Sequence, residues 1–375
     1  MTQNMNAFVI VGVAVGIGGM IYSLNKHSPY FTLAIFIVAL LAMVWLTVAH
    51  WRQEGGKTAK GVDHTKLAAM DFVASSPWIK ENLRGHDSVV DNVVFAIQQE
   101  LALSSPGRVI GAFLLVGPTG TGKTFLAQLV AQALYPDTQP VLLRMNQLKH
   151  PDDVFTLIGA PPGRAGYEMG GSLTRPVQEN PYRVVVLDEI DKCHPDLRDC
   201  LYDILDTAQC REKSSGASVD FSGCVFFGTC NSGLEAVRGA VKRAGGDDAA
   251  ANKIRDALVE SASFEKAFLA RWTRVEFMDE LKPLHVAEVA LLQLTRYWRD
   301  FGIELTYVAP RVLLDAVEKN EEFRAYGVRQ LSSYIRRQTN HALMTARQTQ
   351  VKYAHLDVSP AGDLLIQSTP WAFRG

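Results

Sequence analysis

None of the nine histidines is followed by glutamate, so the H-E-x-x-H helix of a zinc protease is missing and metal-dependent proteolysis is set aside. No C-x-x-C pair occurs among the five cysteines, Cys193, Cys200, Cys210, Cys224 and Cys230, which argues against a zinc site and points to reduced, mostly buried thiols. Excess charge of either sign is also lacking. The 38 basic and 39 acidic residues give a formal net charge of -1, so no global field draws the chain to nucleic acid, which stays a minority reading. Charge is scarcest at the N-terminus, where Lys26 is the only Lys, Arg, Asp or Glu before His50.

Two apolar runs fill that charge-poor stretch, Ala7 to Ser23 and Tyr30 to His50, with Asn25 to Pro29 as a polar turn between them. Each is close to the roughly 20 residues that cross a bilayer as a helix. They predict two N-terminal transmembrane helices, a hairpin over residues 1–50. The rival for the first run is a cleaved signal peptide, but no basic residue precedes it and no A-x-A site follows. Arg52, Lys57 and Lys60 outnumber Lys26, which orients both termini to the cytoplasm. The expected location is therefore the inner (cytoplasmic) membrane, multi-pass, with the soluble part in the cytoplasm. Gly12 and Gly16 have the small-xxx-small spacing that lets another helix approach closely.

Residues 51–77 read as a linker with one short amphipathic stretch before Ser75-Ser76-Pro77. Beyond Trp78 apolar strand-like runs alternate with helix-like ones: a helix over Val89–Leu103, a strand over Val109–Val116, a helix over Thr124–Leu134, then strands at Val141–Met145, Arg183–Leu187, Cys224–Thr229 and Arg274–Met278. That alternation predicts the α/β class, a parallel sheet flanked by helices, over residues 78–279. Residues 280–375 read as a smaller, mainly helical subdomain, with helices over Val286–Phe301, Pro310–Lys319 and Val328–Gln348 and a closing strand pair, Val351–Val358 and Leu364–Gln367.

Between the strand ending at Val116 and the helix beginning at Thr124 lies Gly117-Pro118-Thr119-Gly120-Thr121-Gly122-Lys123-Thr124. A phosphate-binding loop needs glycines that let backbone N–H groups turn onto a β-phosphate, a lysine (Lys123) reaching β and γ oxygens, and a hydroxyl (Thr124) for Mg²⁺. The helix N-terminus behind the loop adds its dipole. The run Val184 to Asp191 ends a buried strand in adjacent carboxylates. Asp188 is the candidate for the Mg²⁺ shell and Glu189 for orienting and deprotonating an attacking water. Asp191 and His194 nearby read as polar residues of a helix start.

The order of these motifs, with Leu157–Thr174, Pro181–Asp196 and Val219–Gly233, resembles the AAA+ ATPases of the Clp unfoldase and disaggregase type, closest to their C-terminal ATPase module. The resemblance runs from about Leu83 to the C-terminus. It implies a P-loop NTPase core with a helical lid, ATP and Mg²⁺ as cofactors, and a homohexamer acting on a protein substrate or a membrane-embedded complex. It further implies that Asn231 is the first sensor, Arg271 the arginine finger supplied to a neighbouring subunit, and Arg329 the second sensor. Arg274 is the fallback finger, because Ala270 stands where the family has Asn before its arginine. Two features depart from the family. Gly163-Arg164-Ala165-Gly166 replaces the loop whose aromatic grips polypeptide, leaving Arg164 and Tyr167 as pore-loop candidates. The segment from Ser232 to Ala262 lacks the tripeptide that docks a peptidase ring, so no such partner is expected.

The resulting expectation is a membrane-anchored ATPase ring that remodels, assembles or disassembles a protein complex at the cytoplasmic face, in a secretion, conjugation or envelope machine. A nucleotide-gated scaffold with slow turnover is the competing reading, and a DNA-dependent member of the superfamily is a distant third.

Overall fold

The computed structural model describes residues 61–164, 166–243, 247–261, 264–322, 328–358 and 364–368. The two apolar runs at residues 7–23 and 30–50 lie outside these. Among the described residues no helix is long and apolar enough to cross a membrane.

Residues 61–77, expected as the end of a linker, instead pack on the folded unit. Helix α1 (His64–Ala68) buries Leu67, the following turn buries Phe72, and α2 covers Ser76–Asn82. His64 clamps the segment with one ring nitrogen 2.8 Å from Ser104 Oγ and the other 3.3 Å from Ser222 Oγ. Val62 and Met70 pack beside Leu67 and Phe72, and the Phe72 N–H donates to Gln98 Oε1 at 2.6 Å, contacts to distant segments that leave no periodic signature in the sequence.

Helix α3 (Asp87–Ala102) leads to β1 (Gly111–Val116), the phosphate-loop sequence and α4 (Lys123–Leu134); β2 (Val141–Arg144), α5 (Val154–Ile158), α6 (Thr174–Glu179) and β3 (Arg183–Asp188) follow. Next come α7 (Pro195–Thr207), a small hairpin of β4 (Gln209–Arg211) and β5 (Ser218–Asp220), and β6 (Cys224–Cys230). Then α8 (Leu234–Lys242), α9 (Asp247–Ser261) and α10 (Lys266–Ala270) precede β7 (Arg274–Phe277). The main sheet has the order β2-β3-β6-β1-β7, and every pairing in it is parallel.

Burial follows position in that sheet. Strands β1 and β6 are buried at every residue, as central parallel strands covered on both faces must be, whereas the edge strand β2 alternates buried and exposed. Period-two alternation sends Ala112, Leu114 and Val116 to one core with Phe226 and Trp272, and Phe113 and Leu115 to the other with Val184 and Phe227. The buried thiols of Cys224 and Cys230 are pushed upward by burial, and all five cysteines are free.

The smaller part contains α11 (Pro283–Arg299), β8 (Glu304–Val308), α12 (Pro310–Glu322), α13 (Val328–Gln348), β9 (Tyr353–Val358) and β10 (Leu364–Ser368). The expected closing strand pair is β9 and β10, antiparallel, but β8 joins it in parallel to make three strands. The exposed, mixed sequence of β8 gives little period-two signal, so its strand form depends on its pairing with β9. Arg296 of α11 binds the Asn82 side chain and lies 5.7 Å from the Phe125 ring of α4, which ties this part to the helix behind the phosphate loop.

Candidate functional site

The site is assembled where β1, β3 and β6 end at their carboxyl edges, the position at which open parallel sheets hold ligands. The segment after β1 is forced close to its neighbours. A Cβ on Gly117 would stand 2.1 Å from the Met278 carbonyl oxygen, so only glycine fits there. Its N–H donates to the Cys230 carbonyl at 3.1 Å, fixing the loop's start to the end of β6. Thr121 donates its hydroxyl to the Pro118 carbonyl at 3.0 Å, folding the loop on itself.

Lys123 starts α4 and is 6% exposed. Its ammonium donates to the carbonyls of Gly117 at 2.7 Å and Pro118 at 2.6 Å. Burial pulls it down to about 8 from the ordinary lysine value, and the neighbouring carboxylates of Asp188, Asp191 and Glu189 only partly oppose this. A buried cation with so depressed an affinity for its proton is electrostatically suited to an anion, and phosphate oxygens supply one.

Asp188 closes β3. Its Oδ1 accepts from Thr124 Oγ1 at 2.9 Å and from Thr229 Oγ1 at 2.8 Å. A carboxylate beside a hydroxyl is a hard-oxygen pair of the kind Mg²⁺ accepts, with phosphate and water completing the shell. Among the described residues there is no group of three or more His, Cys, Asp or Glu that could hold a metal alone. The donors present therefore fit a nucleotide-bound Mg²⁺ rather than a dedicated protein cage.

Glu189 has φ 56°, in the left-handed region that a non-glycine residue enters only at a cost. This turn carries its carboxylate away from the strand direction, and three side chains hold it there. Asn231 Nδ2 donates to Oε1 at 3.1 Å, Asn146 Nδ2 donates to Oε2 at 2.8 Å, and Lys192 Nζ lies 3.3 Å from Oε2. The Glu189 N–H donates to Thr229 Oγ1 at 2.8 Å. Thr229 thus connects the backbone of one carboxylate residue to the side chain of the other. The Oδ1 atoms of Asn146 and Asn231 are buried without a hydrogen-bond partner, leaving acceptor lone pairs beside the Glu189 carboxylate. Such lone pairs suit a water molecule held for deprotonation.

Several of these residues escaped the sequence reading. Asn146 follows β2 by two residues and Thr229 is the polar break in the run Cys224–Cys230; a polar side chain at the carboxyl end of a parallel strand was the available signal. Lys192 was hidden among ordinary charges. His86, 6% exposed, lies by the backbone of Thr121, with burial holding its imidazole down to about 4. Of the two helix-start residues, His194 caps α7 by accepting from the Asp196 N–H at 3.3 Å, and Asp191 accepts from Ser232 Oγ at 2.5 Å.

Arg271 is not gathered into this centre. It ends α10, pairs with Asp206 Oδ2 at 2.6 Å, donates to the Ala267 carbonyl at 2.7 Å, and stacks 4.3 Å from the Tyr202 ring. Arg274 lies on β7, 3.6 Å from Glu276 Oε1. Arg329 stands in the first turn of α13. Arg164 and Tyr167 belong to the loop joining α5 to α6. The Arg164 guanidinium is 2.5 Å from Asp152 and 4.4 Å from the Phe155 ring centre, while Tyr167 is exposed.

Residues 108–275 match the family of the AAA domain (Cdc48 subfamily). The chain is similar to the chaperone protein ClpB of Rhodopirellula baltica, 31% identical over 271 residues, covering 72% of this chain and 30% of that protein. Similar likenesses are found to chaperone protein ClpB 1 of a Nostoc species, at 34% over 274 residues with 71% and 30% covered, and to chaperone protein ClpB 2 of Parasynechococcus marenigrum, at 33% over 303 residues with 80% and 33% covered. The chain spans about a third of the length of these relatives.

Proposed function

We propose, from the premise that residues 108–275 are a Clp-type AAA+ ATPase module that hydrolyses ATP with Mg²⁺, that this protein is a membrane-anchored homohexamer. In this reading the ring remodels a protein complex at the cytoplasmic face of an inner membrane. The observation that carries the catalytic part is the Glu189 carboxylate, braced by Asn231 and Asn146 beside the Asp188–Thr124 pair and Lys123.

ATP with Mg²⁺ supplies an activated γ-phosphoryl group and a divalent charge. The backbone of Gly117–Thr124 and the Lys123 ammonium counter the phosphate charge. Thr124 and Asp188 present the two oxygens for the cation. Glu189 accepts a proton from water while the two asparagines keep its carboxylate aimed. Arg271, outside its own chain's centre, is the cation offered to a neighbouring copy, and Arg329 reports on the nucleotide from α13.

Composition supports the anchor: two apolar runs of bilayer length joined by a polar turn. The chaperone names of the relatives support a protein client. No peptidase partner and no nucleic acid enter this reading.

The test is steady-state ATP turnover of the full-length protein in lipid nanodiscs beside Glu189→Gln. Loss on the order of 10²–10⁴-fold with ATP still bound is expected, and affinity capture on the trapped variant then identifies the client. Unchanged turnover in Glu189→Gln removes the role given to that residue. A wild-type ring that binds ATP tightly but turns over negligibly, even with the captured complex, favours the scaffold reading; Arg164, occupied by Asp152 and Phe155, is the feature on its side.

A further inference from the structure

Among the buried polar residues described, Glu212 is the only carboxylate, 3% exposed. It occupies no part of the nucleotide site. It stands at the end of the short hairpin formed by β4 and β5, and its side chain accepts from the Gly171 N–H at 2.8 Å, Ser214 Oγ at 3.0 Å and Ser215 Oγ at 3.2 Å. A buried carboxylate is costly unless its lone pairs are filled, so these donors define its function.

Each donor belongs to one of two loops. Gly171 ends the 160–170 loop that carries Arg164, Tyr167 and Met169. Ser214 and Ser215 form the hairpin turn, which Glu212 also shapes through its own N–H to the Ala217 carbonyl and its carbonyl to the Gly216 N–H, both 2.9 Å. A further tie crosses between the loops, from the Lys213 N–H to the Ile158 carbonyl at 2.8 Å. The stem of the 160–170 loop is closed independently, by Ser172 N–H to Thr156 O at 2.8 Å and Leu173 N–H to Leu157 O at 3.0 Å. The hairpin follows directly from α7, the helix that begins six residues beyond Glu189.

We propose that Glu212 is a positioning residue that makes the 160–170 loop and the 213–217 turn a single polypeptide-contacting unit moved by α7. This rests on the remodelling reading given above. The tip of the unit exposes Tyr167 and Met169, while the Arg164 charge is matched by Asp152 within the chain. The chemistry therefore suits an unfolded chain gripped by apolar contact.

The test uses full-length protein in nanodiscs, wild type beside Glu212→Met, which keeps the volume without the acceptors, and Glu212→Gln, which keeps an acceptor. Amide exchange at Gly171 and Lys213 is expected to rise at least tenfold in Glu212→Met, with Ser172 and Leu173 unchanged and Gln restoring most of the protection. The ratio of turnover with carboxymethylated casein to turnover without it is expected to fall toward one in Glu212→Met and to recover in Glu212→Gln. Protected Gly171 and Lys213 amides in Glu212→Met, or an unaltered casein ratio despite their exposure, overturns the proposal. If casein leaves wild-type turnover unchanged, the ratio is read with the complex captured on Glu189→Gln; if that too leaves turnover unchanged the remodelling reading fails instead, and the exchange pattern alone decides whether Glu212 joins the two loops.

Discussion

Lys123 is 6% exposed with two carbonyls on its ammonium, whereas Met169, at the tip of the loop between α5 and α6, is 73% exposed. The two regions answer different demands. Phosphoryl transfer needs charges held still where charge will develop, so Asp188, Glu189 and Lys123 are fixed by strand ends and by neighbouring hydrogen bonds. The loop presents adaptable apolar groups instead, Met169 and Tyr167, while its backbone and Arg164 are tied down by Arg175, Asp152 and Phe155. Arg271 stands between these cases: firmly held by Asp206 and Tyr202, partners outside its own chain's nucleotide centre.

The sharpest break in the contrast is Lys123→Ala. ATP affinity measured with a fluorescent analogue is expected to fall roughly a hundredfold or more, since charge-assisted contacts of about 1.5–3 kcal/mol each are lost. Retained affinity would place the phosphates elsewhere. Arg271→Ala is expected to keep ATP binding while turnover drops on the order of 10³-fold. Mixing Arg271→Ala with Glu189→Gln should restore part of it, because one subunit still has the carboxylate and the other the cation. If Arg274→Ala behaves this way and Arg271→Ala does not, the finger assignment moves to β7.

Burial of Lys123 also has a pH signature. The unfolded chain keeps this proton to about 10.5, while the folded, nucleotide-free protein gives it up near 8. More protons are bound in the unfolded state across that window, so stability rises with pH there, by up to about 3 kcal/mol, and Lys123→Met flattens the slope. Urea unfolding followed by tryptophan fluorescence at pH 8, 9 and 10 reads it. His86 acts in the same sense lower down: its contribution is complete above 6.5 and fades as pH falls toward 4. The smallest effects compare two glycines. Gly117→Ala drives a methyl into the Met278 carbonyl and should cost about 1–3 kcal/mol with weakened ATP binding. Gly163→Ala meets nothing within 4 Å and is strained only by its φ of +87°, so a loss of about 1 kcal/mol and unchanged ATP binding are expected from the same assays.

Much of the fold was legible because periodicity and burial agree in a parallel sheet. The all-buried β1 and β6 read as continuous apolar runs, and the phosphate-loop glycines and lysine lie consecutively in the chain. The carboxylates Asp188 and Glu189 were legible for the same reason, as the end of one such run. What stayed hidden was whatever depends on a second strand or a pairing partner. Asn146, in the turn after β2, and Thr229, on β6, meet Glu189 only when β2, β3 and β6 are laid side by side. Strand β8 has no periodic signature and is recruited by β9. Glu212 looks like one more surface charge until the hairpin folds against Gly171.

By itself, then, the order of residues determined the α/β core, the phosphate loop, the adjacent carboxylates and two apolar runs of bilayer length, because each is a local pattern in composition or spacing. Only the tertiary structure decided that Asn146 joins Asn231 in bracing Glu189, that Arg271 is held by α7, that residues 61–77 dock, and that one buried carboxylate joins two loops. Those features depend on distances between segments far apart in the chain, which packing of the two cores sets and no local pattern encodes.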